Sequence, residues 1–196
     1  MASDASPASK GRSAEATKQA MLAAARRRFV LESYENVGMR DIAGDVGVDV
    51  ALVSRYFGNK EELFKEVLGV GRQKDILPAE LADDQIPAYL ASLYLAQDSD
   101  RDQNVDRLLI ILRSASSPVA SQIVRDALRR DVLTPLAERL GGDKPELRAS
   151  TSLAVWMGMT IMRTVIGVDP LKGCGAEIES RLQRLFESAL SDETKA

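Results

Sequence analysis

The spacing of apolar residues along the chain predicts a protein built almost entirely of α-helices. In the first long segment, about 13–33, Met21, Leu22, Ala25 and Phe29 recur at helical spacing and would form one buried face. The same periodicity continues over 85–97, 104–114, 118–140, 145–168 and 175–191. No convincing alternation of apolar and polar residues indicates a strand. The pattern therefore predicts an all-α fold of about nine helices.

Between residues 38 and 57 the pattern changes to two short helices joined by a tight turn. Gly47 stands in the turn, where the backbone commonly needs a positive φ. Ala43 is small enough for a close approach of the two helices, and Asp49 is a candidate N-cap. The apolar positions that would hold the pair together are Met39, Ile42, Val46, Val48, Leu52, Val53 and Phe57. This spacing predicts a helix-turn-helix, whose second helix can enter the major groove of DNA.

Local signals also predict the domain boundaries. Asn59 is a second candidate N-cap, and Gly69 and Gly71 weaken the helix that follows it. We therefore expect a disordered arm over 1–12, a helix-turn-helix domain that can bind DNA over 13–58, a linking helix over 59–71, and a separate helical domain over 72–196.

Composition argues against most catalytic chemistry. The 196 residues include no histidine and one cysteine, Cys174. Triads that need histidine, His-ligated zinc and CxxC motifs are therefore absent, and we expect no catalytic site, no metal and no cofactor. The sequence also has neither the ~18–20 apolar residues of a membrane span nor a secretion signal. We expect a cytoplasmic protein without a membrane partner.

Charge is distributed unevenly along the chain. The net charge is −3, but residues 1–70 contain ten Lys or Arg and ten Asp or Glu, against sixteen and nineteen in the remainder. The first third therefore lacks the acidic excess of the rest. A local basic face that contacts nucleic acid is compatible with this distribution.

The residues around the predicted helix-turn-helix resemble the TetR family of bacterial regulators. The resemblance runs without gaps over about 18–68, and its motifs are MLAAA at 21–25, Phe29, Tyr34, MRDIA at 39–43, VGVD at 46–49 and FGNKEEL at 57–63. Beyond this segment only length and helical layout are similar. The resemblance implies a three-helix head and a helical bundle, in a dimeric repressor that binds a palindromic operator in double-stranded DNA and is released by a small molecule.

By this resemblance, one set of residues would face DNA: Gly38, Arg40, Asp49, Val50, Ala51, Leu52, Ser54, Arg55, Tyr56 and Lys60. Arg55 is the candidate for base readout, because a guanidinium can bind guanine bidentately. Lys60 would bind a phosphate at a helix N-terminus. The family usually has Thr at the position of Gly38 and Tyr at that of Ser54, so Gly38 offers no hydroxyl and Ser54 a shorter side chain.

The C-terminal domain would bind an apolar effector and a second subunit. Candidate pocket residues are Tyr89, Leu93, Tyr94, Ile110, Trp156, Met159 and Met162. The last two helices resemble the family's dimerisation pair, and their candidate interface residues are Leu153, Trp156, Ile178, Leu182 and Leu185. Ordinary core packing is the alternative interpretation of the pocket residues.

A second function remains open from the sequence: a helical ligand-binding or protein-interaction module that does not bind DNA. This alternative predicts no salt-dependent binding to duplex DNA and no effect of Arg55→Ala.

Overall fold

The computed structural model describes residues 7–70, 77–96, 101–171 and 175–192, and the regular structure in these ranges is entirely helical. The α-helices are α1 (Pro7–Leu31), α2 (Met39–Val46), α3 (Val50–Phe57), α4 (Lys60–Leu68), α5 (Ile86–Ala96), α6 (Arg101–Ser114), α7 (Pro118–Leu128), α8 (Thr134–Leu140), α9 (Pro145–Thr160) and α10 (Gly175–Leu190). Short 3-10 turns lie at Tyr34–Asn36, Asp83–Gln85 and Asp169–Leu171. A π-helical turn joins α7 to α8, so the described ranges contain nine continuous helices, and the all-α prediction is confirmed.

The chain folds into two compact units. The head unit contains the residues up to Val70 together with Leu109–Val124, and the body unit contains the rest. The first segment of the head unit ends at Val70, so α4, which the sequence analysis treated as a linking helix, belongs to the head. The end of α6 and most of α7 also belong to the head unit, whereas the sequence placed them in the C-terminal domain. Cys174 and residues 1–6 lie outside the described residues.

The first helix is longer than its apolar pattern indicated. It begins at Pro7 rather than near Ser13, so residues 7–12 of the expected disordered arm are helical. Proline is well tolerated in the first turn of a helix, because the amides there have no partner within the helix. Of the predicted inner face, Met21, Ala25 and Phe29 are buried, whereas Leu22 is only partly buried.

Residues at the helix ends themselves set the boundaries of α2, α3 and α4. Gly47 ends α2 with φ of 72°, in the left-handed region that favours glycine. The Asp49 carboxylate accepts the Ala51 amide proton at 2.7 Å, and the Asn59 side chain accepts that of Glu62 at 2.9 Å. These are N-cap hydrogen bonds, which satisfy amides that a helix start leaves free.

Three aromatic rings form the centre of the head unit. The Phe64 ring meets those of Phe29 and Tyr34 edge-on, each with centroids 5.0 Å apart. Phe29 and Tyr34 stack with centroids 6.0 Å apart. Aromatic pairs in these geometries add to the stabilisation from burial alone, so α4 is fixed on α1 by this cluster.

In the body unit, α10 packs against α5 and α9, and α8 packs against α9. The fully buried side chains of Tyr94, Leu182 and Phe186 lie in this core. No described helix is both long and apolar enough to cross a membrane.

Two π-helical turns, at Arg129–Leu133 and Ile161–Ile166, occur where the sequence predicted regular helix. Pro135 has no amide proton, and in a regular α-helix its ring would clash with the carbonyl of Asp131, which lies inside the first turn. The Thr134 amide donates to the Arg129 carbonyl, five residues back. At the second turn, the Thr164 hydroxyl donates to the Thr160 carbonyl at 2.6 Å, a competing bond that loosens a helix.

Candidate nucleic-acid interface

The helix-turn-helix forms in the head unit at the predicted position. Ile42 and Ala43 of α2 are buried, as are Val53 and Phe57 of α3. Ala43 is 3% exposed, because the two helices approach closely at this residue. The apolar contacts therefore fix the angle of α3, as the spacing predicted.

One face of α3 points into solvent. The exposed residues of the predicted DNA set are Arg40, Asp49, Ala51, Ser54 and Arg55, while Gly38, Val50, Leu52, Tyr56 and Lys60 are partly buried. The Asp49 carboxylate is engaged in capping α3. Among the described residues, none forms a hydrogen bond or an ion pair with the Arg55 guanidinium. Its donors are therefore free for an external acceptor.

Gly38 caps α2 without a side chain. Its amide donates to the Asp41 carboxylate at 3.0 Å, which is half of a capping box. A Cβ at this position would lie 2.7 Å from Asp41 Oδ2. A threonine at position 38 would thus require Asp41 to rotate, and in this chain the cap depends on Asp41 instead.

Tyr56 connects α3 to α1. Its hydroxyl donates to the Ala14 carbonyl at 3.2 Å. The family resemblance placed Tyr56 among the DNA-facing residues, but in the structure the proton of its hydroxyl is used within the protein. Tyr56 therefore helps to align α3 with the N-terminal part of α1.

Lys60, the expected phosphate ligand, lies against the turn that follows α1. Its ammonium is 4.2 Å from the Tyr34 ring centroid and donates to the Glu35 carbonyl at 3.4 Å. Burial lowers the pKa of Lys60, and the Glu35 charge opposes that shift. Burial, assisted by the charges of Glu61 and Glu35, raises the pKa of Tyr34 to about 12.

Arg28 is a structural residue of the head that the sequence analysis did not identify. Its Nε donates to Asp45 Oδ2 at 2.6 Å and its second terminal nitrogen to Asp45 Oδ1 at 2.8 Å, which ties α1 to α2. These hydrogen bonds raise the pKa of Arg28 and lower the pKa of Asp45. The partners are 17 residues apart, so helical spacing gave no signal of the pair.

The candidate pocket residues divide between the two units. Leu93, Tyr94, Trp156 and Met159 share the core of the body unit, and the Tyr94 hydroxyl donates to the Met159 carbonyl at 3.5 Å. Tyr89 is partly buried and Met162 is 43% exposed. Ile110 is buried in the head unit, so it does not join this cluster.

The candidate dimer residues require a correction. Ile178 and Leu182 are 7% and 0% exposed because they face the core of their own chain, so the prediction for these two residues is wrong. Leu185 is 47% exposed, and Leu153 and Trp156 are partly buried. Leu147, which the sequence analysis did not select, is 62% exposed. An open groove of about 400 Å³ runs between α9 and α10 past Leu147, Val155 and Leu185.

Two family models together match most of the sequence. Residues 21–67 match the model for bacterial regulatory proteins of the tetR family, and residues 84–193 match that for a tetracyclin repressor-like C-terminal domain. The chain belongs to the TetR family. It is therefore a member of a family of DNA-binding transcription regulators.

Solved structures similar to this TetR-family chain share its fold at low identity. Salmonella enterica GusR is 16% identical with a TM-score of 0.71, over 89% of this chain and 95% of GusR. NalD of Pseudomonas aeruginosa, the secondary repressor of the MexAB-OprM multidrug efflux pump, is 17% identical with a TM-score of 0.68, over 90% and 96%. SmeT in complex with triclosan is 17% identical with a TM-score of 0.66, over 89% and 91%. No curated protein matches the sequence.

The boundary between the two family models does not coincide with the division of this TetR-family chain into head and body units. The N-terminal model, residues 21–67, encloses the whole helix-turn-helix. The C-terminal model, residues 84–193, includes Leu109–Val124, which packs in the head unit. Among the described residues, no cluster of carboxylates or thiols is arranged to hold a metal ion.

Proposed function

We propose that the protein is a transcriptional repressor that binds a palindromic operator as a homodimer, with α3 in the major groove. The observation that carries this proposal is the outer face of α3. Arg55 is exposed there without a partner among the described residues, on a helix held at a fixed angle by Val53 and Phe57. Direct readout requires a pre-positioned helix and free donors, and α3 supplies both.

Each exposed side chain of α3 has a role within this proposal. Arg55 binds O6 and N7 of a guanine, Ala51 contacts a thymine methyl group, and Ser54 hydrogen-bonds to phosphate. Lys60 binds phosphate beside the first amides of α4, where the helix dipole favours an anion. A regulator of this kind needs no catalytic group.

The dimer would form through α9 and α10. Leu147 and Leu185 are large apolar side chains exposed beside the groove between these helices, and a second copy would remove them from water. Leu185→Glu should convert the dimer to monomer in sedimentation velocity. Leu31→Glu, at an exposed leucine of α1, is the matched control and should remain dimeric. A dimeric Leu185→Glu protein would contradict this interface.

The body unit would bind an apolar small molecule beside the cluster of Leu93, Tyr94, Trp156 and Met159. SmeT, one of the similar structures, is a complex with triclosan. Triclosan is therefore a reasonable first probe, and Trp156 is the single tryptophan of the chain. We expect an apolar effector to change Trp156 fluorescence and to reduce operator affinity. A ligand that changes one without the other would not be the effector.

Selection of bound sequences from a random duplex library tests the function. The purified protein should enrich a palindrome whose half-sites are about one DNA turn or somewhat more apart, ~34–36 Å or longer. Absence of enrichment, even at low salt and with candidate effectors removed, would favour a helical module that does not bind DNA.

A further inference from the structure

Ser117 occupies the corner between α6 and α7, inside the head unit. It is 3% exposed and immediately precedes Pro118, the first residue of α7. Its hydroxyl oxygen accepts the Ala120 amide proton at 3.2 Å, which caps α7. The same hydroxyl donates its only proton to the Glu35 carboxylate at 2.5 Å. One buried side chain thus both starts a helix and holds a carboxylate 82 residues away in sequence.

Glu35 is also the neighbour of Lys60. The Glu35 carbonyl accepts a proton from the Lys60 ammonium at 3.4 Å. Within the residues that the structure describes, however, no ion pair joins this ammonium to the Glu35 carboxylate. The carboxylate is engaged by Ser117 instead, although its charge still acts on Lys60.

We propose that Ser117 is a positioning residue for DNA binding, which holds the Glu35 carboxylate away from Lys60 and so keeps the Lys60 ammonium available to phosphate. Without the Ser117 hydroxyl, the carboxylate is free to pair with Lys60. That pairing competes with phosphate, because a lysine neutralised by a protein carboxylate releases no counterion from DNA. The inference rests on the proposed operator binding.

The test is the salt dependence of binding to the duplex selected by the wild-type protein. Ser117→Ala should weaken binding roughly threefold to tenfold, the effect of one phosphate contact, and should reduce the salt slope by about one per subunit. In a Glu35→Gln background, Ser117→Ala should cause no further loss, because glutamine cannot neutralise Lys60. The same holds in a Lys60→Ala background.

Three variants separate this effect from loss of the α7 cap. Ser117→Thr keeps both hydrogen bonds and should retain affinity. Ser117→Asp keeps an N-cap oxygen but cannot donate to Glu35, so it should weaken binding as Ser117→Ala does. Ser116→Ala, at the exposed neighbouring serine, is the matched control and should bind as the wild type.

A loss of affinity for Ser117→Ala that persists in the Glu35→Gln background, or that leaves the salt slope unchanged, would overturn the proposal while operator binding stands. So would full affinity of the Ser117→Asp protein. If the wild-type protein binds no duplex, the proposed function itself is wrong.

Discussion

The head unit and the body unit are both helical, but different contacts set the boundaries of α2, α3 and α4 in the head and the start of α9 in the body. In the head, α2, α3 and α4 are bounded by Gly47, Asp49, Asn59 and Gly69, each acting within a few residues. In the body, α9 starts after Lys144, which has a left-handed φ of 43° and makes no side-chain cap. The body therefore forms a boundary that its local sequence disfavours.

Contacts over long sequence distances compensate for this in the body. The Arg148 guanidinium donates to the Leu190 carbonyl at 2.7 and 2.9 Å, although the residues are 42 positions apart, and also to the carbonyls of Gly141 and Asp143. The start of α9 is thereby fixed to the end of α10. The boundaries of α2, α3 and α4 in the head are thus set by residues close in sequence, whereas the start of α9 in the body depends on a pairing that becomes evident only in the folded chain.

The largest expected effect on stability comes from removing a buried aromatic ring from the core of each unit. Phe64→Ala should lower the free energy of unfolding of the head by about 3–5 kcal/mol, because it removes a fully buried ring. Phe186→Ala should cost about as much in the body. Trp156 fluorescence reports the body, and circular dichroism reports both units. Equal shifts of the Trp156 transition in both variants would show that the units unfold together.

A smaller loss of stability is expected when the Arg148 hydrogen bonds between the start of α9 and the end of α10 are removed. Arg148→Ala should cost about 1.5–3 kcal/mol, the range for charge-assisted hydrogen bonds, in urea unfolding monitored by Trp156. Arg129→Ala is the matched control, because this arginine is exposed, and its cost should stay within about 0.5 kcal/mol. Equal costs would mean that the Arg148 contacts do not stabilise the body.

In the head, the contact to compare with Arg148 is the N-cap of α3, which Asp49 supplies from a neighbouring position. Asp49→Ala should cost about 0.5–2 kcal/mol, because the Ala51 amide loses its acceptor. Asp49→Ser keeps a capping oxygen and should recover most of that loss in thermal unfolding followed by circular dichroism. If serine and alanine are equivalent at this position, the cap does not define the start of α3.

The smallest effect should have the opposite sign. Lys144→Gly should raise the stability of the body by about 0.5–1 kcal/mol, because glycine adopts the left-handed conformation without strain. Lys65→Gly, within α4, should instead lower the stability of the head by about 1 kcal/mol. Destabilisation by Lys144→Gly would show that the backbone at this position is not strained.

These differences explain which features the sequence could predict. Gly47 ends α2 and Asp49 caps α3, so the boundaries of the helix-turn-helix followed from local residues. The interface on α10 could not be assigned in the same way. Ile178 and Leu182 lie on the same helix as Leu185, and only packing against α5 determines which of them faces the core.

The π-helical turns and the neighbours of Lys60 could not be predicted from the sequence either, because both depend on the folded chain. Regular periodicity continues across 118–140, and only the structure shows how the helix widens before Pro135. Lys60 meets Glu35, which is held by Ser117 from a distant segment. Spacing within one helix contains no information on such neighbours.

The central claim is that α3 reads the operator, and selection from a random duplex library with the Arg55→Ala protein tests it most directly. We predict that the variant enriches the same palindrome with the same spacing, but without preference at one base position in each half-site, and with affinity weaker by about 1–3 kcal/mol. Lys60→Ala, tested in parallel, should retain every base preference. An Arg55→Ala motif identical to that of the wild type would contradict the claim.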